Sequence, residues 1–357
     1  MIDTTLTFDD VLIEPQYSEI KSRSQVDTAS TLVQGGISLK VPVLSANMDS
    51  VTGLAMAQAM DSIGALGILH RFMTTDEQVS LIKEFKLNGG GFIGSAIGVK
   101  DDCNRRAHAC VEAGADVLVL DVAHGHTKVV GDVMQNLLDH YPDLKIIGGN
   151  VATEAGAQFL IDHGASAIKV GVGPGSVCST RVVAGVGVPQ LTAIIEANKA
   201  CALYGIPLIA DGGIRTPGDI AKAIAAGAST VMVGGILAGS NESPGQIVER
   251  DGRLFKSYRG MASKGAMARR REIEVTHLNG SSPEPRFEHL TPEGVETLVP
   301  YTNEAAVDIV NYFIGGLKSA MSYSNALTIK EFQDNARMIR ITNAGLAESH
   351  PHALNTI

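Results

Sequence analysis

Residues 171–181 read Gly-Val-Gly-Pro-Gly-Ser-Val-Cys-Ser-Thr-Arg, placing a thiol at Cys178 behind a glycine-rich turn and ahead of hydroxyls and a guanidinium. Gly171, Gly173 and Gly175 open backbone conformations with φ > 0 and let the chain approach a ligand closely. Carbonyls exposed by such a turn suit a monovalent cation, and its N–H groups suit a phosphate. A single thiol in an apolar chain is more often inert core. Here Ser176, Ser179, Thr180 and Arg181 flank it, and N–H dipoles with Arg181 would favour a thiolate, so Cys178 reads as a nucleophile. Cys103, Cys110 and Cys201 lie in helical segments and read as inert.

Two more glycine-bearing turns, Asp211-Gly212-Gly213 and Gly234-Gly235, follow apolar runs and suit a phosphate held by backbone N–H groups. An ionised carboxylate only accepts hydrogen bonds, so Asp211 suits the two hydroxyls of a ribose. The three turns together point to a nucleoside monophosphate, with ribose on Asp211 and base towards Cys178. His124 and His126 flank Gly125 with no carboxylate pair beside them, a pattern that favours hydrogen bonding over metal binding.

These groups need a scaffold that brings them to one place. Short apolar runs at 41–45, 64–69, 91–97, 117–120, 145–147, 167–170, 207–210 and 230–233 alternate with amphipathic stretches, among them 153–163, 191–204 and 217–226. Thr216 suits a helix N-cap with Pro217 in the first turn. Eight buried strands with helical connections predict an α/β fold, a (β/α)8 TIM barrel. The C-terminal ends of its strands would then collect Ser45 to Asp49, His70-Arg71, Asp121 to His126, Gly148 to Asn150, the Cys178 run, Asp211 to Gly213 and Gly234-Gly235. Residues 236–300 are polar with little periodicity and read as a long flap over that face. Residues 303–321 return to helical periodicity, and a polar tail occupies 343–357. The expected organisation is a single catalytic domain over 1–357.

Composition narrows the function classes. A net charge of −9 and a pI near 5.6 disfavour a nucleic-acid polymer as partner, since Arg269-Arg270-Arg271 beside Lys264 is too short a basic run. Four cysteines without a CxxC pair disfavour a disulfide framework or structural zinc. No apolar stretch is long enough for a membrane span or a secretory leader, so a cytoplasmic setting is expected.

The segment GVGPGSVCSTR at 171–181 with VVAGVGVPQ at 182–190 resembles the IMP dehydrogenase/GMP reductase family, as do TFDDVL at 7–12, DVAHGH at 121–126, GGNVAT at 148–153, IADGGI at 209–214 and YRGM at 258–261. The resemblance runs nearly end to end. PEGVE at 292–296, VPY at 299–301 and ESHPH at 348–352 look like the dehydrogenase branch, whereas SRSQVD at 22–27, Ala46-Asn47-Met48 and Gly234-Gly235 look like the reductase branch. Dehydrogenases of this family typically insert a pair of regulatory CBS modules after the second βα unit. Here Lys86 runs through Asn88-Gly89-Gly90 straight into the third strand.

The resemblance implies that Cys178 attacks C2 of the purine of IMP, that NAD accepts the hydride, and that the thioimidate left on Cys178 is hydrolysed to XMP. It assigns Thr180 and Glu293 to the water-handling pair. Arg286, followed by Phe287 where the family has Arg-Tyr, is the flap base, with Arg269, Arg270 and Arg271 as rivals. It places Met48, Ser176, Asp211, Gly213, Gly234, Gly235, Tyr258, Met261 and Glu293 around the substrate. Asp121, Asn150, Gly171 and Gly173 would lie around the cofactor. Potassium would be held by carbonyls of Gly173, Gly175 and Cys178 with Glu348, Ser349 and His350 of a neighbouring subunit, which implies a homotetramer. The competing readings are GMP reduction to IMP with NADPH, which needs no flap base, and a non-catalytic nucleotide-binding barrel.

Overall fold

A computed structural model describes residues 4–100, 102–277 and 291–351, with side chains omitted at 274–277. The chain opens with strand β1 (Val11–Glu14) and the short pair β2 (Ser30–Thr31) and β3 (Ser38–Leu39). Eight βα units follow: β4 (Val43–Ser45) and α1 (Leu54–Ser62), β5 (Leu66–Leu69) and α2 (Thr75–Leu87), β6 (Ile93–Ile97) and α3 (Cys103–Glu112), β7 (Val117–Leu120) and α4 (Lys128–His140), β8 (Ile146–Val151) and α5 (Glu154–Asp162), β9 (Ala167–Val170) with α6 (Thr180–Val183) and α7 (Gln190–Tyr204), β10 (Leu208–Asp211) and α8 (Pro217–Ala225), and β11 (Thr230–Val233). Strands β4 to β11 pair in parallel, and β11 returns to β4, which closes the barrel. All eight predicted strands and the three predicted helices are present.

Period-two alternation along the strands builds two apolar layers. Leu44, Leu66, Ile68, Ala96, Val117, Val119, Ile147, Ala167, Ile209 and Met232 fill the barrel interior. Their neighbours, such as Val43, Leu69, Leu118, Leu120, Ile168, Val170, Leu208, Ala210, Val231 and Val233, face the helical ring. The same alternation turns Lys169 and Asp211 inward near the strand ends. Helix α8 starts as predicted: Pro217 opens it, and Asp219 accepts from the N–H groups of Arg215 (3.0 Å) and Thr216 (2.8 Å), which secures the loop that follows β10.

Two expectations need correction. Gly148, Gly149 and Asn150 do not form a loop after the fifth barrel strand, because β8 continues through them to Val151 with a register shift between Gly149 and Val151. The 236–300 excursion is more ordered than its polar sequence implies. It contains β12 (Ile247–Arg250), β13 (Arg253–Arg259) and β14 (Glu296–Pro300) in one antiparallel sheet, with α9 (Lys264–His277) between the last two. Its alternation is weak because the sheet stands out from the barrel with much of both faces wet.

Helix α10 (Ala306–Tyr323) then closes the barrel against α8 and α1 and is followed by α11 (Ile329–Asn335). Strand β15 (Arg337–Arg340) pairs antiparallel with β1, and α12 (Asn343–Glu348) ends the described chain beside the turn at Phe8–Asp10.

Candidate active site

The loop after β9 is held from two sides. Within it, the Cys178 N–H donates to the Gly175 carbonyl at 3.1 Å. Across from it runs the chain entering β14: Cys178 and Gly294 form an antiparallel bridge, Ser179 N–H donates to Glu293 O at 2.9 Å, and Val295 N–H donates to Val177 O at 2.9 Å. Gly260 N–H donates in turn to Val295 O at 3.0 Å, so the loop bearing Cys178 is an added edge on the sheet of β12, β13 and β14. A Cβ at Gly260 would lie 2.8 Å from the Val177 carbonyl, so this close approach requires a residue without a side chain.

The Cys178 thiol is exposed and donates to the Thr180 hydroxyl at 3.3 Å. Arg181 staples the base of the same loop, with Nε donating to Val172 O (3.2 Å) and Nη2 to Val188 O (2.5 Å). Burial lowers its pKa, while the charge of Cys178 opposes that shift. The other three cysteines are buried, and burial pushes the Cys201 thiol up to about 12. Cys178 is thus the one exposed thiol of the four.

A polar cradle stands beside the thiol. Ser176 and Tyr258 hydroxyls lie 3.2 Å apart, and burial raises the Tyr258 pKa, which keeps it a donor. A Cβ at Gly235 would meet Ser176 Oγ at 3.0 Å, and one at Gly234 would meet both Tyr258 Oη and Met48 Sδ at 3.2 Å. The structure thus brings Met48, Ser176, Gly234, Gly235 and Tyr258 together. Asp211 and Gly213 lie on the adjoining strand end, and Met261 lies partly exposed just beyond β13.

Side chains next to these contacts lock them. Asp49, following Met48, takes the Arg259 guanidinium on both oxygens, with Nε–Oδ2 at 2.9 Å and Nη2–Oδ2 at 2.5 Å. Ser50 Oγ accepts from Arg259 N–H at 3.2 Å. Below the pair, His70 is buried, and desolvation lowers its pKa to about 4, against the opposing pull of Asp49. Its Nδ1 accepts from Phe72 N–H at 3.2 Å, which suits a neutral ring.

Among residues assigned to the cofactor, Asp121 is partly exposed at the end of β7 and pairs with Arg71 Nε at 3.2 Å. Asn150 instead points into the barrel mouth, where Nδ2 donates to Gly171 O (2.8 Å) and Asp211 Oδ2 (2.9 Å). Gly171 and Gly173 are closely covered: added Cβ atoms would meet Asp211 O at 2.1 Å and Arg181 Cγ at 2.6 Å. Lys169 completes this group and escaped sequence reasoning. The available signal was a lysine in the apolar run Ala-Ile-Lys-Val, on the face opposite Ile168 and Val170.

Other predicted groups stand apart. Ser349 Oγ donates to Gly345 O at the end of α12, and the charge of His350 acts on Asp9, so this segment lies by the β10 side of the rim. The ring of His126 packs on Phe159 with centroids 5.0 Å apart, and no group of three His, Cys, Asp or Glu suited to a metal occurs among the described residues. Arg269 sits on α9 and pairs with Glu272 at 3.4 Å. Arg286 and Phe287 lie outside the described residues.

An IMP dehydrogenase / GMP reductase domain model matches residues 5–352 of the chain. The inosine-5′-monophosphate dehydrogenase of Nitrosopumilus maritimus is 35% identical over 470 aligned positions, covering 97% of this chain and 98% of that protein. The enzyme of the same name from Borreliella burgdorferi is 37% identical over 401 positions, covering 99% and 98%. The first alignment is far longer than the 357 residues here, so that relative carries residues with no counterpart in this chain, whereas the second alignment is much shorter. A solved structure of a Trypanosoma brucei GMP reductase variant with guanosine 5′-monophosphate superimposes with a TM-score of 0.92 at 33% identity, covering 99% of both chains.

Proposed function

The chain belongs to the IMP dehydrogenase/GMP reductase family, and from that premise we propose that it oxidises IMP to XMP with NAD through a thioimidate on Cys178. The observation that carries the chemistry is the exposed Cys178 thiol, set against Thr180 and tied by backbone bonds to the segment bearing Glu293. The direction rests on relatives named as dehydrogenases that match nearly their whole length.

Ser176 and Tyr258 hydroxyls with the N–H groups of Gly213, Gly234 and Gly235 hold the phosphate, and Asp211 takes the ribose. Met48 and Met261 border the base and bring C2 to Cys178. The thiolate adds to C2, and hydride leaves that carbon. Thr180 and Glu293 then orient water against the thioimidate and take up its proton, so that hydrolysis releases XMP and restores the thiol. Arg286 in the flap is proposed to assist that deprotonation, a demanding role for a guanidinium.

Bound NAD supplies the hydride acceptor. Asp121 fits a ribose of the dinucleotide: it is partly exposed at the rim, and Arg71 holds one of its oxygens. Asn150, Gly171 and Gly173 act from beneath as supports. Carbonyls of Gly173, Gly175 and Cys178 are the oxygen donors a potassium ion requires, and we place Glu348, Ser349 and His350 of a neighbouring subunit on the same ion, within a homotetramer. A cytoplasmic setting is part of this proposal; no described helix is long and apolar enough to cross a membrane.

GMP reduction by NADPH is the second reading, favoured by end-to-end superposition on a reductase. Incubation with IMP plus NAD, and separately with GMP plus NADPH, decides at 340 nm. Absorbance rising in the first mixture alone supports oxidation; absorbance falling in the second alone overturns it.

A further inference from the structure

Alternation along β9 sends Ile168 and Val170 to the helical layer and Lys169 into the barrel mouth, where its side chain is 3% exposed. A buried ammonium needs a counter-charge and further acceptors. Lys169 Nζ lies 2.7 Å from Asp211 Oδ2 and also donates to Asn150 Oδ1. Asn150 Nδ2 donates to Gly171 O at 2.8 Å and to Asp211 Oδ2 at 2.9 Å. With both ends of the amide engaged, Asn150 cannot flip without losing bonds. Gly149 makes room, since a Cβ there would stand 2.7 Å from Lys169 Cβ.

The two oxygens of Asp211 are therefore unequal. Each carboxylate oxygen offers about two acceptor sites. Lys169 and Asn150 fill those of Oδ2, while Oδ1 accepts from no described residue. We propose that Lys169 and Asn150 are positioning residues that fasten one oxygen of Asp211 and reserve the other for the nucleotide sugar, setting a preference for ribose over 2′-deoxyribose. This rests on Asp211 being the ribose ligand of the proposed site. The two sites left on Oδ1 match the two hydroxyls of a vicinal diol. A carboxylate free to turn would offer either oxygen to a single hydroxyl and would tolerate the loss of the other. Held as it is, Asp211 loses one charge-assisted bond when the 2′-hydroxyl is absent, a penalty of about ten- to hundredfold in kcat/KM.

The test compares IMP with 2′-deoxy-IMP in the wild type, Lys169→Met and Asn150→Ala, with KM and kcat determined separately. The wild type is expected to prefer IMP at least tenfold, mainly through KM, and each substitution should reduce that preference to about threefold or less. A purely structural role would impair both substrates alike and leave the ratio intact, which overturns the proposal, as does a wild type with no ribose preference. Asn150→Ala keeps the Lys169–Asp211 ion pair and serves if Lys169→Met does not fold. If GMP is reduced and IMP is inert, the proposed reaction fails, but the same ratio measured with GMP and 2′-deoxy-GMP still tests the positioning. If neither reaction proceeds, calorimetric affinities for IMP and 2′-deoxy-IMP supply the ratio.

Discussion

Cys178 and Gly294 oppose each other in an antiparallel bridge that joins the nucleophile loop to the entry of β14. Glu293 is thus carried beside Ser179 by main-chain bonds, and the flap sheet and thiol share one backbone frame. A Cβ on Gly294 would stand 2.9 Å from Ser263 N, in contact with backbone that cannot swing aside. Gly294→Ala is expected to fold with a loss of about 1–3 kcal/mol and to lower kcat at least tenfold by displacing the loop. Urea titration and steady-state rates check this; an unchanged kcat would mean that the bridge does not position the thiol.

Cys178→Ala should abolish turnover by more than about 10³-fold while nucleotide binding persists. Calorimetry with IMP alongside the absorbance assay tests both halves. Residual turnover near the wild-type rate would refute the nucleophile assignment.

Native protein treated with iodoacetamide near neutral pH should gain one adduct per chain, at Cys178. Cys103, Cys110 and Cys201 are buried, and burial raises the thiol pKa of Cys110 and Cys201. Intact-mass analysis before and after denaturation should show one adduct and then four. Early labelling of Cys201 would contradict the packing described.

His70 gives stability a defined pH dependence. Its folded pKa of about 4 lies below the ordinary histidine value of about 6.5, so the unfolded chain takes up the proton first as pH falls. Stability is retained above pH 6.5 and lost between about 6.5 and 4, by roughly 3 kcal/mol for this group. His70→Gln should flatten that part of the stability–pH curve measured by denaturant titration. An unchanged slope would show that His70 is not its source.

Asp49→Ala removes the hydrogen-bonded partner of a half-buried guanidinium next to Met48 and Tyr258 in sequence and leaves Arg259 only the weaker pull of Glu296. We expect a stability loss of about 1–3 kcal/mol, discounted for partial exposure, and a KM for IMP raised several-fold. Unchanged KM with lowered stability would confine the pair to a structural role.

The fold and the exposed setting of Cys178 were legible in the sequence because both are local in character. Eight apolar runs of strand length, seven of them followed by the polar or glycine-bearing groups named above, point to a barrel and a polar face at one end of it through burial pattern and turn chemistry. The flanks of Cys178 separate it from the three helical cysteines in the same way. The three-stranded flap sheet left little trace, because strands with both faces partly wet do not alternate clearly. Nor could adjacency in sequence reveal the Cys178–Gly294 bridge, since its partners lie more than a hundred residues apart.

The sequence by itself determined that a thiol, a carboxylate and several glycine turns would gather at one end of a barrel. Tertiary structure alone decided how they divide the work. Asn150, expected near the cofactor, also donates to Asp211, and Lys169 emerged as the counter-charge of that carboxylate. The physical reason is that hydrogen-bond partnership depends on distances between separate strands. Barrel closure brings β8, β9 and β10 side by side, and only then is one oxygen of Asp211 occupied by Lys169 and Asn150, which leaves the other as the one proposed for the nucleotide sugar.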